Sequence, residues 1–254
     1  VQVTPVRPEV LVELVAELVA GRAGRVRAVV DGPDEAGTAE LGAGVAGRLR
    51  ELGRATVLVS AWDYLRPASV RLEFGREDPD ELLDGWLDAG ALRREVLDPA
   101  GVDGSGRVLP RLWDASVDRA FRDTNYVSLP PDGVVLITGS MLLGRGLPLD
   151  VAVHLRMGEA AMRRSFPADR RWMLPAFARY AAERDPKAMP IWSSLPIIRT
   201  DLPSAADTGG RLPLPVPWLQ TTSAGTKIGG SQASSSPGID PGPHLPANPH
   251  PPAS

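Results

Sequence analysis

Gly32 and Gly37 stand at the two ends of a short loop that follows the apolar run Val26 to Val30 and precedes a helix-forming run. Strand, glycine loop and helix in that order can cradle phosphate, because loop N–H groups and the helix N-terminus point at the anion. The residues of such a cradle are Gly32, Pro33, Asp34, Glu35, Ala36, Gly37, Thr38 and Ala39. A triphosphate loop also needs a lysine after the second glycine to neutralise charge, then a hydroxyl that binds Mg²⁺. Thr38 and Ala39 fill those two places, and no lysine occurs before Lys187. Asp34 and Glu35 put negative charge beside the expected phosphates. An ordinary tight turn between strand and helix, which also uses glycine, fits the same residues.

Other candidates lie after later strands. Asp63, in Ala61-Trp62-Asp63-Tyr64, could accept a proton from an attacking hydroxyl; it could equally cap a helix. The run Leu136-Ile137-Thr138-Gly139 puts threonine where a phosphotransferase often carries an acid that orders Mg²⁺. Arg163 and Arg164, with Arg170 and Arg171 following, could close over phosphate as a lid; exposed helix arginines are the common alternative. A second glycine pattern, Gly42-Ala43-Gly44-Val45-Ala46-Gly47, falls inside a helix, where small residues serve close packing better than a dinucleotide. His154 lies in an apolar strand and reads as a hydrogen-bonded core residue. His244 and His250 lie near the end of the chain, so no histidine metal site is expected.

Several elements must position these residues. Helical spacing covers Glu9 to Ala20, Glu40 to Leu52, Asp80 to Val96, Glu159 to Ser165 and Trp172 to Glu183, with Pro175 tolerable only in the first turn of the last. Strand patterns cover Arg25 to Val30, Ala55 to Ser60, Gly133 to Thr138 and Val151 to Leu155. Apolar strands alternating with amphipathic helices predict an α/β fold with a parallel sheet covered on both faces, and ligands at the carboxyl ends of its strands.

A net charge of −3 gives no electrostatic case for nucleic acid or an anionic membrane. The absence of cysteine excludes disulfides and thiolate metal sites. No apolar run approaches the length of a membrane span, and Arg7, Glu9 and Glu13 do not suit a signal peptide, so a cytoplasmic location is expected. Composition breaks near Pro190: from there on lie 13 of the 26 prolines but only six of the 59 charged residues. That segment cannot bury enough apolar surface to order itself. The expected organisation is an N-terminal helix in residues 1–24, a nucleotide-binding-type domain in 25–189 and a disordered tail in 190–254. The run Pro213-Leu214-Pro215-Val216-Pro217 leaves room for a non-enzymatic interaction module.

Taken together, the blocks resemble the uridine kinase family of P-loop nucleoside kinases, in particular its divergent actinobacterial uridine-kinase-like subgroup. The resemblance rests on Val30-Asp31-Gly32-Pro33-Asp34 with Gly37, on Asp63-Tyr64-Leu65-Arg66-Pro67-Ala68-Ser69, and on Gly85-Trp86-Leu87-Asp88. It continues through Leu92-Arg93-Arg94-Glu95-Val96-Leu97-Asp98-Pro99 and Leu142-Leu143-Gly144-Arg145-Gly146-Leu147-Pro148. The resemblance implies a P-loop NTPase-like three-layer fold, ATP and Mg²⁺ as cofactors, a nucleoside or nucleotide as partner, and phosphate transfer to the 5′-hydroxyl of uridine or cytidine. The family's phosphate loop falls on Gly32 to Thr38 and its acid after the second strand on Trp62 or Asp63, Trp62 being the better match. Its strand acid falls on Thr138 and its lid arginines on Arg163 and Arg164. The lysine, the Mg²⁺ hydroxyl and the strand acid are therefore missing, and degenerate or absent phosphotransferase activity is expected, an active uridine or cytidine kinase being the alternative.

Overall fold

The computed structural model describes residues 7–122 and 124–184, and the backbone of 197–201. The chain begins with α1 (Pro8–Ala20), β1 (Val26–Asp31), α2 (Thr38–Glu51) and β2 (Thr56–Ser60). Short helices α3 (Ala68–Arg71), α4 (Pro79–Asp84) and α5 (Ala89–Leu92) follow, then four two-residue strands, β3 (Arg107–Val108), β4 (Trp113–Asp114), β5 (Arg119–Ala120) and β6 (Val127–Ser128). The chain continues through β7 (Val134–Gly139), β8 (Val151–Arg156), α6 (Glu159–Ser165), α7 (Leu174–Glu183) and β9 (Ile197–Asp201).

The main sheet has the order β2-β7-β1-β8-β9, all parallel, while β3 pairs with β6 and β4 with β5 as small antiparallel ladders. Every residue of β7 is buried, as are Ala28 to Asp31 of β1, in keeping with the apolar stretches Val134 to Ile137 and Ala28 to Val30 at the centre of the sheet. Alternate side chains serve two separate cores. Val26, Ala28, Val30, Val134 and Leu136 pack with α1 and α2 on one face. Val29, Val135 and Ile137 pack with Tyr64, Leu83, Leu92, Phe177 and Tyr180 on the other. The three-layer arrangement expected from the sequence is the one formed.

Helix α1 shares a core with α2 and β1, burying Leu11, Val15, Ala16 and Val19, so residues 8–20 belong to this layer. Small residues on α2 permit the contact: a Cβ on Gly44 would come within 2.9 Å of Val12 Cγ2. On the opposite side of α2, a Cβ on Gly42 would lie 2.2 Å from Thr138 Cγ2. Two glycines of the second glycine pattern therefore serve packing; Gly47 meets nothing within 4 Å. Gly42→Ala is expected to cost about 1–3 kcal/mol in urea denaturation. Adding Thr138→Ser, which deletes the clashing methyl, should recover most of that loss.

The single helix expected over Asp80 to Val96 is instead broken. Asp78 caps α4 through the Asp80 and Glu81 amides, and Asp88 caps α5 through the Ala91 amide. Between them Leu87 bridges Leu65, with Arg66 N donating to Trp86 O and Asp88 N donating to Tyr64 O. Beyond α5 the chain widens into a π-turn segment, Arg93–Leu97. Two caps and a tertiary bridge thus override a continuous apolar period. Pro175 sits in the first turn of α7, the one place where it fits. Five residues of the segment expected to be a tail, Ile197–Asp201, form the strand beside β8; the rest of that segment lies outside the described residues.

The order of connections creates a switch point. The chain leaves β1 toward β2 and leaves β8 toward β9, on opposite sides of the sheet. A crevice therefore opens at the carboxyl ends of β1 and β8, where sheets of this kind bind ligands.

Candidate functional site

The Gly32–Ala39 loop stands at that crevice. Gly32 has φ 151°, and a Cβ there would meet Leu155 O at 2.6 Å. Gly37 has φ 79° and joins a 3₁₀ turn, Asp34–Ala36, to α2. Both positions need glycine. The loop is anchored from below: Gly32 N donates to Gly139 O (3.1 Å), and Ser140 Oγ donates to Gly32 O (2.8 Å). Thr38, in the place of the lysine, is buried, with its Cγ2 3.3 Å from where a Gly32 Cβ would be. Ala39 is exposed.

The amides of this loop are partly used within it. Ala36 N donates to Pro33 O and Gly37 N to Asp34 O, each at 2.9 Å. The acidic side chains turn inward. Asp34 Oδ1 accepts from Trp62 Nε1 at 3.1 Å. Arg170 lies 2.8 Å from Glu35 Oε1 and 3.9 Å from Asp34 Oδ2. The Glu35 side chain is only 6% exposed, and its Oε1 sits in the ion pair without hydrogen-bond geometry. Burial pushes the Glu35 carboxyl up to about 7, against the pull of Arg170. Burial raises Asp34 as well, opposed by the bond from Trp62 and by Arg170. Two loop carboxylates, one indole and one arginine thus form a closed cluster where a phosphate cradle was expected.

The remaining sequence candidates fall around this cluster. Trp62, one of the two residues matched to the acid after the second strand, reaches the loop. Asp63 instead faces Arg111 at 3.3 Å, and burial raises its carboxyl against that partner. Thr138 is buried under α2, between the Gly42 backbone and the sheet. Arg163 forms an exposed pair with Glu159 one turn away (2.6 Å), and Arg164 is exposed on the same helix. The arginine that reaches the loop is Arg170, in the 3₁₀ segment Ala168–Met173. The sequence puts the lid on Arg163 and Arg164, with Arg170 and Arg171 only following; of these four, Arg170 is the one that meets the loop acids. Among the described residues no group of three or more acids and histidines could hold a metal ion.

On the β2 side of the loop, apolar side chains close the space. Trp62, Trp86, Leu82, Met141 and Met173 line a cavity of only about 20 Å³. Trp86 stacks at a tilt on Trp172, with ring centroids 5.7 Å apart, and Arg71 covers it at 5.3 Å.

No family model matches the chain, and no curated protein matches it. Solved structures do. A structure described as a possible uridine kinase from Bacillus stearothermophilus aligns with TM-score 0.59 and 17% identity, over 75% of this chain and 97% of that one. A structure described as a putative fructose transport system kinase from Silicibacter sp. TM1040 aligns with TM-score 0.55 and 19% identity, over 78% of this chain and all of that one. The chain has the fold of these kinases. The parallel α/β sheet accordingly resembles that of P-loop kinases. No described helix is long and apolar enough to cross a membrane.

Proposed function

We propose that the chain is a uridine-kinase-like P-loop protein that no longer transfers phosphate. The observation that carries this reading is the cluster of Asp34, Glu35, Trp62 and Arg170, in which both acids of the loop are held by the protein's own indole and arginine. A carboxylate about 4 Å from a phosphate oxygen adds roughly 4 kcal/mol of repulsion at an effective dielectric near 20. Lysine would offset such repulsion, and the buried hydroxyl of Thr38 carries no charge. The residues present therefore do not fit a Mg²⁺-bound triphosphate: cationic, hydroxyl and strand-acid positions are Thr38, Ala39 and Thr138. The small volume beside Trp62 argues in the same direction. A space of about 20 Å³ has room for roughly one water and is far too small for a nucleoside.

The alternative is a working ATP-dependent kinase of uridine or cytidine in which Arg170 replaces the lysine. It draws on the closeness of Arg170 to the loop, and it requires that arginine to leave Glu35. An assay of γ-phosphate transfer from ATP to uridine and cytidine, with Mg²⁺, separates the two readings. No nucleoside monophosphate above the enzyme-free background is expected. Mg²⁺-dependent product that disappears in Asp63→Asn or Arg170→Gln would establish the alternative.

A further inference from the structure

The phosphate loop leaves unused a second cluster at the same switch point. Asp31 ends β1, His154 interrupts the apolar run of β8, and the two are register partners across the strands. Asp31 has no exposed surface. Its Oδ1 accepts from Leu142 N at 2.8 Å, and its Oδ2 accepts from Tyr180 OH at 2.8 Å. His154 Nδ1 lies 2.7 Å from the same Oδ2. Tyr180 OH in turn accepts from Leu143 N at 3.1 Å. With Tyr180 spending its hydrogen on the carboxylate, His154 Nδ1 must carry the hydrogen of its own bond to Asp31, and the ring's Nε2 is left for another partner.

His154 lines a cavity of about 430 Å³ beside Pro33. Met157, Met162, Leu174 and Phe177 form apolar walls, and Arg156 and the paired Arg163 and Glu159 also line it. Small-molecule sites span roughly 300–1,000 Å³ and combine apolar walls with a few placed polar groups. We propose that this cavity binds a small, largely apolar monocarboxylic acid whose carboxyl group meets His154 Nε2. A carboxyl suits either form of the ring: a neutral Nε2 accepts the acid's proton, and a protonated Nε2 donates to its anion. The walls accommodate an aromatic or branched aliphatic body, which inorganic phosphate lacks. The buried carboxylate of Asp31 fixes the ring's tautomer and orientation, as second partners of histidine commonly do. The proposal does not depend on whether the neighbouring loop holds a nucleotide.

Calorimetric titration of the full chain with benzoate, benzamide and inorganic phosphate tests it. Benzoate should bind saturably, with benzamide and phosphate at least about tenfold weaker, the scale of one charge-assisted hydrogen bond. His154→Gln should weaken benzoate by about tenfold or more. Because His154 also supports Asp31, a second variant is needed. Ala178 is exposed and lines the cavity, so Ala178→Trp should fill it and abolish binding with an unchanged unfolding midpoint. Absence of saturable benzoate binding, equal affinity for benzamide, or full binding by a folded Ala178→Trp would each overturn the proposal.

Discussion

Asp31→Ala is expected to remove about 3–5 kcal/mol of folding stability, the largest loss of any single substitution at this end of the sheet. The carboxylate is completely buried and gathers three donors: the Leu142 amide, the Tyr180 hydroxyl and His154 Nδ1. Alanine leaves each of these without its acceptor at a position with no exposed surface of its own. An unpaired buried polar group costs about 1–3 kcal/mol, and three share this one partner. The loss should also extend beyond the immediate site, since Asp31 ties the loop after β7 and helix α7 to the end of β1. Urea denaturation followed by circular dichroism reads the effect as a lower midpoint with an unchanged slope. A loss below about 1 kcal/mol would mean that the network relaxes around the gap, in contradiction to the rigid switch point described above.

The second large effect is on pH dependence. Burial pushes the Glu35 carboxyl from its ordinary 4.5 up to about 7. Between those values the folded protein keeps a proton that the unfolded chain has released, so stability falls as pH rises through this window. The stabilisation is fully present below about pH 4.5 and lost above about pH 7, a span worth up to about 3 kcal/mol for this group. Asp34, raised by the same burial, adds to the slope in the same sense. Glu35→Gln should flatten most of the decline between pH 5 and 8 and leave a residue attributable to Asp34. Thermal midpoints across that range, native against variant, supply the check. An identical slope in the two proteins would show that Glu35 is not held as described.

Much of the frame was legible because it rests on local pattern. Ala28 to Val30 of β1 and Val134 to Ile137 of β7 are apolar runs, and α2 opens directly after Gly37. Pattern alone misread the segment from Asp80 to Val96, because the caps at Asp78 and Asp88 and the bridge of Leu87 to Leu65 decide it. The loop itself was legible in composition: two glycines, two acids and no lysine. What composition could not give was the fate of those acids. Their partners come from Trp62, 28 residues along the chain from Asp34, and from Arg170, far beyond it. The Asp31–His154 pair had a fainter signal. Each is a polar residue directly after an apolar stretch of its strand, but only the sheet order β1-β8 brings them side by side.

The central claim is that the phosphate loop is occupied by its own carboxylates and does not take a triphosphate. Titration of the full chain with ATP and Mg²⁺ at pH 8, followed by calorimetry, tests it most directly, because Glu35 is then ionised and paired with Arg170. No saturable heat is expected at ATP concentrations up to about 1 mM, which corresponds to less than about 4 kcal/mol of binding free energy. Saturable, Mg²⁺-dependent binding at micromolar ATP would contradict the account.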